Sequence, residues 1–149
     1  MKKSSTILNA SIVLLILAGL THIGSIQLKG KHDRRDSRQF AEATILAIAD
    51  NWDANELARR ATPKLSKMLT PQHLRDIEMR ELGKIKRFDG VNWSPDPDCV
   101  KNDRSITSYS YQALVDFENG SARFILNLIK QDDKWQIFGY EITPLAISR

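Results

Sequence analysis

One cysteine, Cys99, stands in a chain of 149 residues, which excludes an internal disulfide and any cysteine-rich zinc site. It lies far from the N-terminus, so no lipoprotein-type cysteine is available there for acylation. The acids around it, beginning with Asp98, disfavour a thiolate and so argue against a reactive nucleophile. Intermolecular pairing in an oxidising compartment is the disulfide chemistry left to it. The three histidines are scattered: His22 in a hydrophobic stretch, His32 in a polar one and His73 near a helix start. No H-E-x-x-H, paired His/carboxylate spacing, phosphate-binding glycine loop or G-x-S-x-G elbow occurs, and the seven glycines fall singly at turns. No repeat or low-complexity segment is present. No catalytic residue, metal ligand or cofactor site is therefore assigned, and the expectation is a protein that is not an enzyme.

Charge is unevenly spread. Up to Arg87 there are 16 Lys/Arg against 9 Asp/Glu, and from Phe88 onward 6 against 9. Basic residues alternate with acids, and no aromatic-rich basic ribbon accompanies them, which speaks against nucleic acid as a partner. A basic front half beside a hydrophobic segment suits a face near anionic head groups, although mixed-charge, solvated helix faces explain it as well.

Lys2 and Lys3 precede an apolar run from Ile7 that continues, diluted by Thr21 and His22, to Ile26. Twenty residues at 1.5 Å each span about 30 Å, one hydrocarbon thickness. A short basic region followed by an apolar run is the layout of a secretory signal, but small residues at the positions that cleavage requires are poorly matched. The expected organisation is a basic region (1–6), a retained transmembrane anchor or signal segment (7–28), a linker (29–35) and one α+β domain (36–149). Lys29, Lys31, Arg34, Arg35 and Arg38 follow the segment, and counted strictly they would place the domain in the cytoplasm. The first-helix position and the signal-like layout favour the other side. The expectation is a single-pass inner-membrane protein with a periplasmic, or otherwise extracytoplasmic, domain.

Within the domain, Asp36 or Ser37 can cap a helix on which Phe40, Thr44, Ile45, Ile48 and Trp52 recur at helical spacing. Asp53 caps a shorter helix through Leu57 to Ala61, and Pro63 interrupts that helix or opens a new turn, with Leu65, Met68 and Leu69 as its apolar face. Thr70-Pro71 starts a third helix, with Leu74, Ile77 and Leu82, that stops at Gly83. The period then changes to two. Lys84 to Trp93 reads as a strand that is irregular around Asp89-Gly90, and Ser94 to Asp98 as a loop. From Ser105 to Phe117 one parity carries Tyr109, Tyr111, Ala113, Val115 and Phe117, and the other Ser108, Ser110, Gln112 and Asp116. Asn119-Gly120 is a hairpin signal. The strand that returns has Ala122, Phe124, Leu126 and Leu128 on one face. Gln131 to Lys134 turns the chain into a last strand from Trp135 to Thr143. Helices first and then a meander of about four antiparallel strands predict an α+β domain, three helices packed on a curved sheet.

These marks resemble nuclear-transport-factor-2-like domains, the cystatin-like cone fold. The resemblance rests on the opening helix ending in Trp52-Asp53, the Glu81-Leu82-Gly83 helix end, the run from Tyr111 to Ala122, and the hairpin Leu126-Asn-Leu-Ile-Lys with Trp135-Gln-Ile-Phe-Gly-Tyr. It covers Asp36 to Thr143 and implies a cone that can hold a pocket. It is closest to small, membrane-tethered or secreted members without assigned activity, and the anchored subunits of type IV secretion systems share the layout. The superfamily also includes isomerases, dehydratases and ligand binders, so the resemblance marks fold more than function.

Three functional expectations follow. The first is a non-enzymatic, membrane-anchored accessory domain that docks onto another envelope protein or self-associates, as in a secretion system. Its candidate partner-binding residues are Trp93, Asp96 and Asp98, an aromatic beside an acidic, proline-stiffened loop. The exposed parity of the Ser105–Phe117 strand is a second candidate surface. The alternative is a binder of small apolar ligands, with Tyr109, Tyr111, Phe124 and Leu126 lining the cavity. An isomerase- or dehydratase-type enzyme ranks last: Asp116 lies on the polar parity, and Glu141 would face inward only if the last strand bulges.

Overall fold

The computed structural model describes residues 30–69, 80–93 and 107–145. The expected anchor (7–28), most of the third helix and the acidic loop with Asp96, Asp98 and Cys99 lie outside these residues. So do His22 and His73. Among the described residues no helix is long and apolar enough to cross a membrane.

Helix α1 runs over residues 30–51. Residues 30–35, expected as a linker, are thus helical, and Ser37 is a buried interior position rather than a cap. From Ser37 onward the chain forms one compact unit, with residues 1–36 clustering separately. In that unit Ser37, Ala41, Thr44, Ile45, Ile48 and Ala49 recur every three or four residues and are all buried, the stripe a helix needs to lie on a sheet. Burying an Ile side chain contributes about 1.5–3 kcal/mol, so Ile45 and Ile48 anchor the helix.

Trp52 ends α1 in the left-handed region, at φ 49°, with its amide donating to the Ile48 carbonyl at 2.7 Å. A bulky side chain is uncommon there. Packing holds it: the indole lies 5.4 Å from the Phe117 ring and 6.0 Å from that of Phe124. Asp53 then caps α2 (Ala54–Arg60) by accepting from the Asn55 amide, and Thr62 caps α3 (Pro63–Met68) by accepting from the Leu65 amide. Arg80 and Glu81 are again helical, and Gly83 follows at φ 78°.

The sheet has five antiparallel strands: β1 (Ile85–Phe88), β2 (Asn92–Trp93), β3 (Ser108–Phe117), β4 (Gly120–Gln131) and β5 (Lys134–Leu145). Its order is β1-β3-β4-β5, with β2 also pairing β3. The expected first strand is thus two strands on one edge, parted at 89–91, so the count is five rather than about four. The β3–β4 turn is centred on Glu118-Asn119, one residue before the expected Asn-Gly, because Phe117 pairs with Gly120. It docks on the chain around Gly83. Glu118 N donates to Lys84 O at 3.0 Å, Asn119 N to Leu82 O at 3.0 Å and Asn119 Nδ2 to Glu81 O at 2.7 Å. On the opposite edge, Ala61 bridges Ile137, and Thr62 N donates to Ile137 O at 2.8 Å. The sheet's inner face (Tyr111, Ala113, Val115, Phe117, Ala122, Phe124, Leu126, Leu128 and Ile137) makes the core together with Ile45, Ile48, Trp52 and Leu57. This is an α+β arrangement.

Candidate functional site

A strand of period two with one packed face has its polar residues on the other. On β3 those are Gln112, Leu114 and Asp116, and on β4 Ser121, Arg123, Ile125 and Asn127. β5 joins them only after a bulge. Asn127 pairs with Gly139 but Leu128 with Ile137, leaving Phe138 unpaired. The extra residue exchanges the two parities. Tyr140 and Ile142 therefore sit opposite Leu126 and Phe124, while Glu141 sits opposite Ile125. The last strand does bulge, the condition under which Glu141 could have turned inward, and the bulge leaves Glu141 on the exposed face.

The outer face is laced by short polar contacts. Glu141 accepts from Arg123 Nη2 at 3.2 Å and from Thr143 Oγ1 at 2.9 Å. Ser110 Oγ donates to Asn127 Oδ1 at 2.7 Å. Asn127 in turn lies over Gly139, where a Cβ would stand 3.2 Å from its Nδ2. Asp116 accepts from Ser121 Oγ at 2.8 Å and pairs with Arg87 Nη2 at 2.7 Å. The Ser121 hydroxyl first, against an opposing desolvation, and then the Arg87 guanidinium hold the Asp116 carboxyl below its ordinary value. Asp116 is thus an ionised surface carboxylate, a poor proton acceptor at neutral pH. On the inner side, burial pushes the Tyr140 phenol up.

Among these polar groups stands Leu114, half exposed at 50 %. Beside it a shallow, open groove of about 210 Å³ is lined by Asn92, Gln112, Ala113, Leu114 and Arg123. Trp93, the residue after Asn92, is 62 % exposed at the sheet edge. The groove offers two carboxamides, one aliphatic side chain and a guanidinium already paired with Glu141. That set can hold a polar, uncharged surface, and it contains no nucleophile and no carboxylate–histidine pair.

Of the sequence-derived candidates, Trp93 is exposed as a docking aromatic requires, while Asp96 and Asp98 lie outside the described residues. Tyr111, Phe124 and Leu126 are fully buried members of the core. The Tyr111 hydroxyl shares a buried 2.7 Å hydrogen bond with Ser37 Oγ on α1. Tyr109 is half-buried at the core's edge, its ring 5.6 Å from that of Trp135. These four side chains are spent on packing. His32 pairs with Asp36 at 2.9 Å one helical turn away, and among the described residues no three His, Cys, Asp or Glu side chains gather as a metal site would need. Sequence reasoning missed Asn92, Leu114 and Arg123. The available signal was Leu114, an aliphatic residue on the otherwise polar parity of its strand. Comparisons with protein-family models, with curated proteins and with solved structures found no match for this chain.

Proposed function

We propose that the chain is a non-catalytic accessory domain, tethered to the inner membrane by its N-terminal hydrophobic segment, that docks onto another envelope protein through the sheet face bearing Leu114. One observation carries this: a half-exposed leucine beside an open groove, set among charges that are already paired across neighbouring strands. Paired charges lower the cost of covering the face, and an aliphatic centre with a polar rim is the usual anatomy of an interface. The cone-like arrangement of three helices on a curved sheet, with the domain on the extracytoplasmic side, belongs to the same proposal, as does membership of a larger assembly such as a secretion system. A role in binding small apolar ligands is supported less, because Tyr111, Phe124 and Leu126 would have to leave the core to open a cavity.

The test is the size of the protein extracted from its own membranes with mild detergent. Wild type is expected to sediment as a complex larger than the monomer, and Leu114→Asp as the monomer with an unchanged melting temperature. Identical sedimentation of the two removes the proposal. Alkaline phosphatase fused after Arg149 tests the orientation: activity is expected, and silence places the domain in the cytoplasm.

A further inference from the structure

Asn119-Gly120 is the strongest turn signal in the sequence, yet the hairpin turns one residue earlier. Lys130 N donates to Thr107 O at 2.9 Å, so the odd-numbered residues of β3 exchange backbone bonds with β4. Phe117 and Gly120 are the pair of this kind that closes the turn, which commits the Gly120 N–H to the Phe117 carbonyl. Asn119, exposed at the tip, serves as a cap instead. Its N donates to Leu82 O at 3.0 Å and its Nδ2 to Glu81 O at 2.7 Å, carbonyls at the end of a helix that need an outside partner.

Glu118 ties the tip down as well. Its N donates to Lys84 O at 3.0 Å, and its own groups accept from Lys84 N (Oε2, 3.0 Å) and from Lys86 Nζ (carbonyl O, 3.3 Å). Gly83, at φ 78°, makes the fit tight: a Cβ there would stand 2.6 Å from the same Oε2.

We infer that Asn119 is a site of spontaneous deamidation, held shut by this docking, and that the product keeps the tip from docking again. Asparagine before glycine is the reactive pair because no Cβ screens the glycine nitrogen. The Gly120 nitrogen bonds to the Asn119 Cγ and gives up its proton; the Cγ–Nδ2 bond breaks, and Nδ2 leaves as ammonia. Water then opens the five-membered imide at either of its ring C–N bonds, leaving an aspartyl or an isoaspartyl residue, with no change in oxidation state. In the docked tip both reacting groups are committed. The Gly120 N–H is bonded in the ladder, and the carboxamide is turned to the Glu81 carbonyl instead of its own chain. The product reverses the fit. A carboxylate at 119 has no proton for the Glu81 carbonyl, sets an oxygen against it and adds negative charge at a helix C-terminus. The isoaspartyl form also inserts a carbon into the backbone before Gly120 and so displaces the Phe117–Gly120 pair. Neither step uses the sheet face bearing Leu114.

The test is made on the full chain in mild detergent, aged at alkaline pH beside a synthetic peptide of residues 114–123. Tandem mass spectrometry reads the replacement of NH2 by OH at position 119. The protein is expected to react at least about tenfold more slowly than the peptide, because only the opened tip is competent. Gly83→Ala leaves the sequence around Asn119 unchanged and is expected to bring the rate most of the way to that of the peptide. Glu118→Ala, set against a peptide with the same change, removes the Lys84 bond and should act in the same direction, which keeps the test decisive if Gly83→Ala does not fold. Ser37→Ala weakens the fold at the other end of β3 and is expected to leave the rate within about twofold of wild type. In Asn119→Asp the backbone amide at 119 should lose its protection from hydrogen exchange. Equal rates for protein and peptide, no acceleration by either tip variant, or equal acceleration by Ser37→Ala overturns the inference. So does a residue-119 amide as protected in Asn119→Asp as in wild type, since the product would then dock again.

Discussion

Asp132 and Asp133 both take positive φ, 48° and 59°, in the two-residue turn between β4 and β5. That is the geometry of a type I′ turn, in which Gly is best at the second place and Asp is tolerated because its short side chain bonds locally. Asp133→Gly should therefore raise stability by about 0.5–1 kcal/mol, seen as a higher urea midpoint at constant slope. The surface pair between Lys130 and Asp133 (3.5 Å) is lost with little consequence. Gly83 answers in the opposite direction. Its φ is 78°, and a Cβ there would meet Glu118 Oε2 at 2.6 Å, the same oxygen that accepts from Lys84 N at 3.0 Å. Gly83→Ala should cost about 1–3 kcal/mol in the same denaturation experiment.

Two titrations complete the residue scale. Asp116 is held below its ordinary 3.8, so its contribution is present above the unfolded carboxyl pKa and is lost as pH falls through the folded value. Tyr140 is raised above its ordinary 10.0, so its contribution is present below about pH 10 and is lost as pH rises further. Asp116→Asn should flatten the acid side of the stability profile and Tyr140→Phe the alkaline side, both measured by melting temperature against pH.

Between elements, a buried hydrogen bond between Ser37 and Tyr111 ties α1 to the sheet outside apolar packing. A double-mutant cycle of Ser37→Ala and Tyr111→Phe should return a coupling of about 0.5–1.5 kcal/mol, the single losses together exceeding the double. Additive losses would mean that the bond contributes nothing. The sheet-facing stripe of α1 was legible in the sequence because burial on one face of a helix imposes its own period, and Asp53 as a cap because its side chain acts within two residues. The break at Asp89-Gly90 was legible from glycine, which marks where the chain must take positive φ. The bulge at Phe138 and the turn at Glu118-Asn119 were not. A bulge leaves no local composition signal, and the docking of Asn119 on Glu81 and Leu82 is a contact across more than thirty residues. That unseen bulge alone decides that Tyr140 is covered and Glu141 exposed. At the candidate site, Gln112 belonged to a parity readable as wet. The groove needed the pairing of Asn92 with Gln112 and of Leu114 with Arg123, which only strand register supplies.

For the whole molecule, the described domain divides its labour between two sheet faces. One is consumed by α1 and the aromatic core. The other is laced by its own ion pairs and left open at Leu114. The open face is the one that the proposed docking role uses. The most direct measurement is photo-crosslinking in intact cells, with a photoreactive residue placed at Leu114 and, as a control, at Ala43 on the solvent side of α1. A discrete, stoichiometric adduct from position 114, absent from position 43 and abolished by Arg123→Glu in the same chain, is the predicted result. No adduct from position 114, or the same adduct from both positions, would contradict docking through this face.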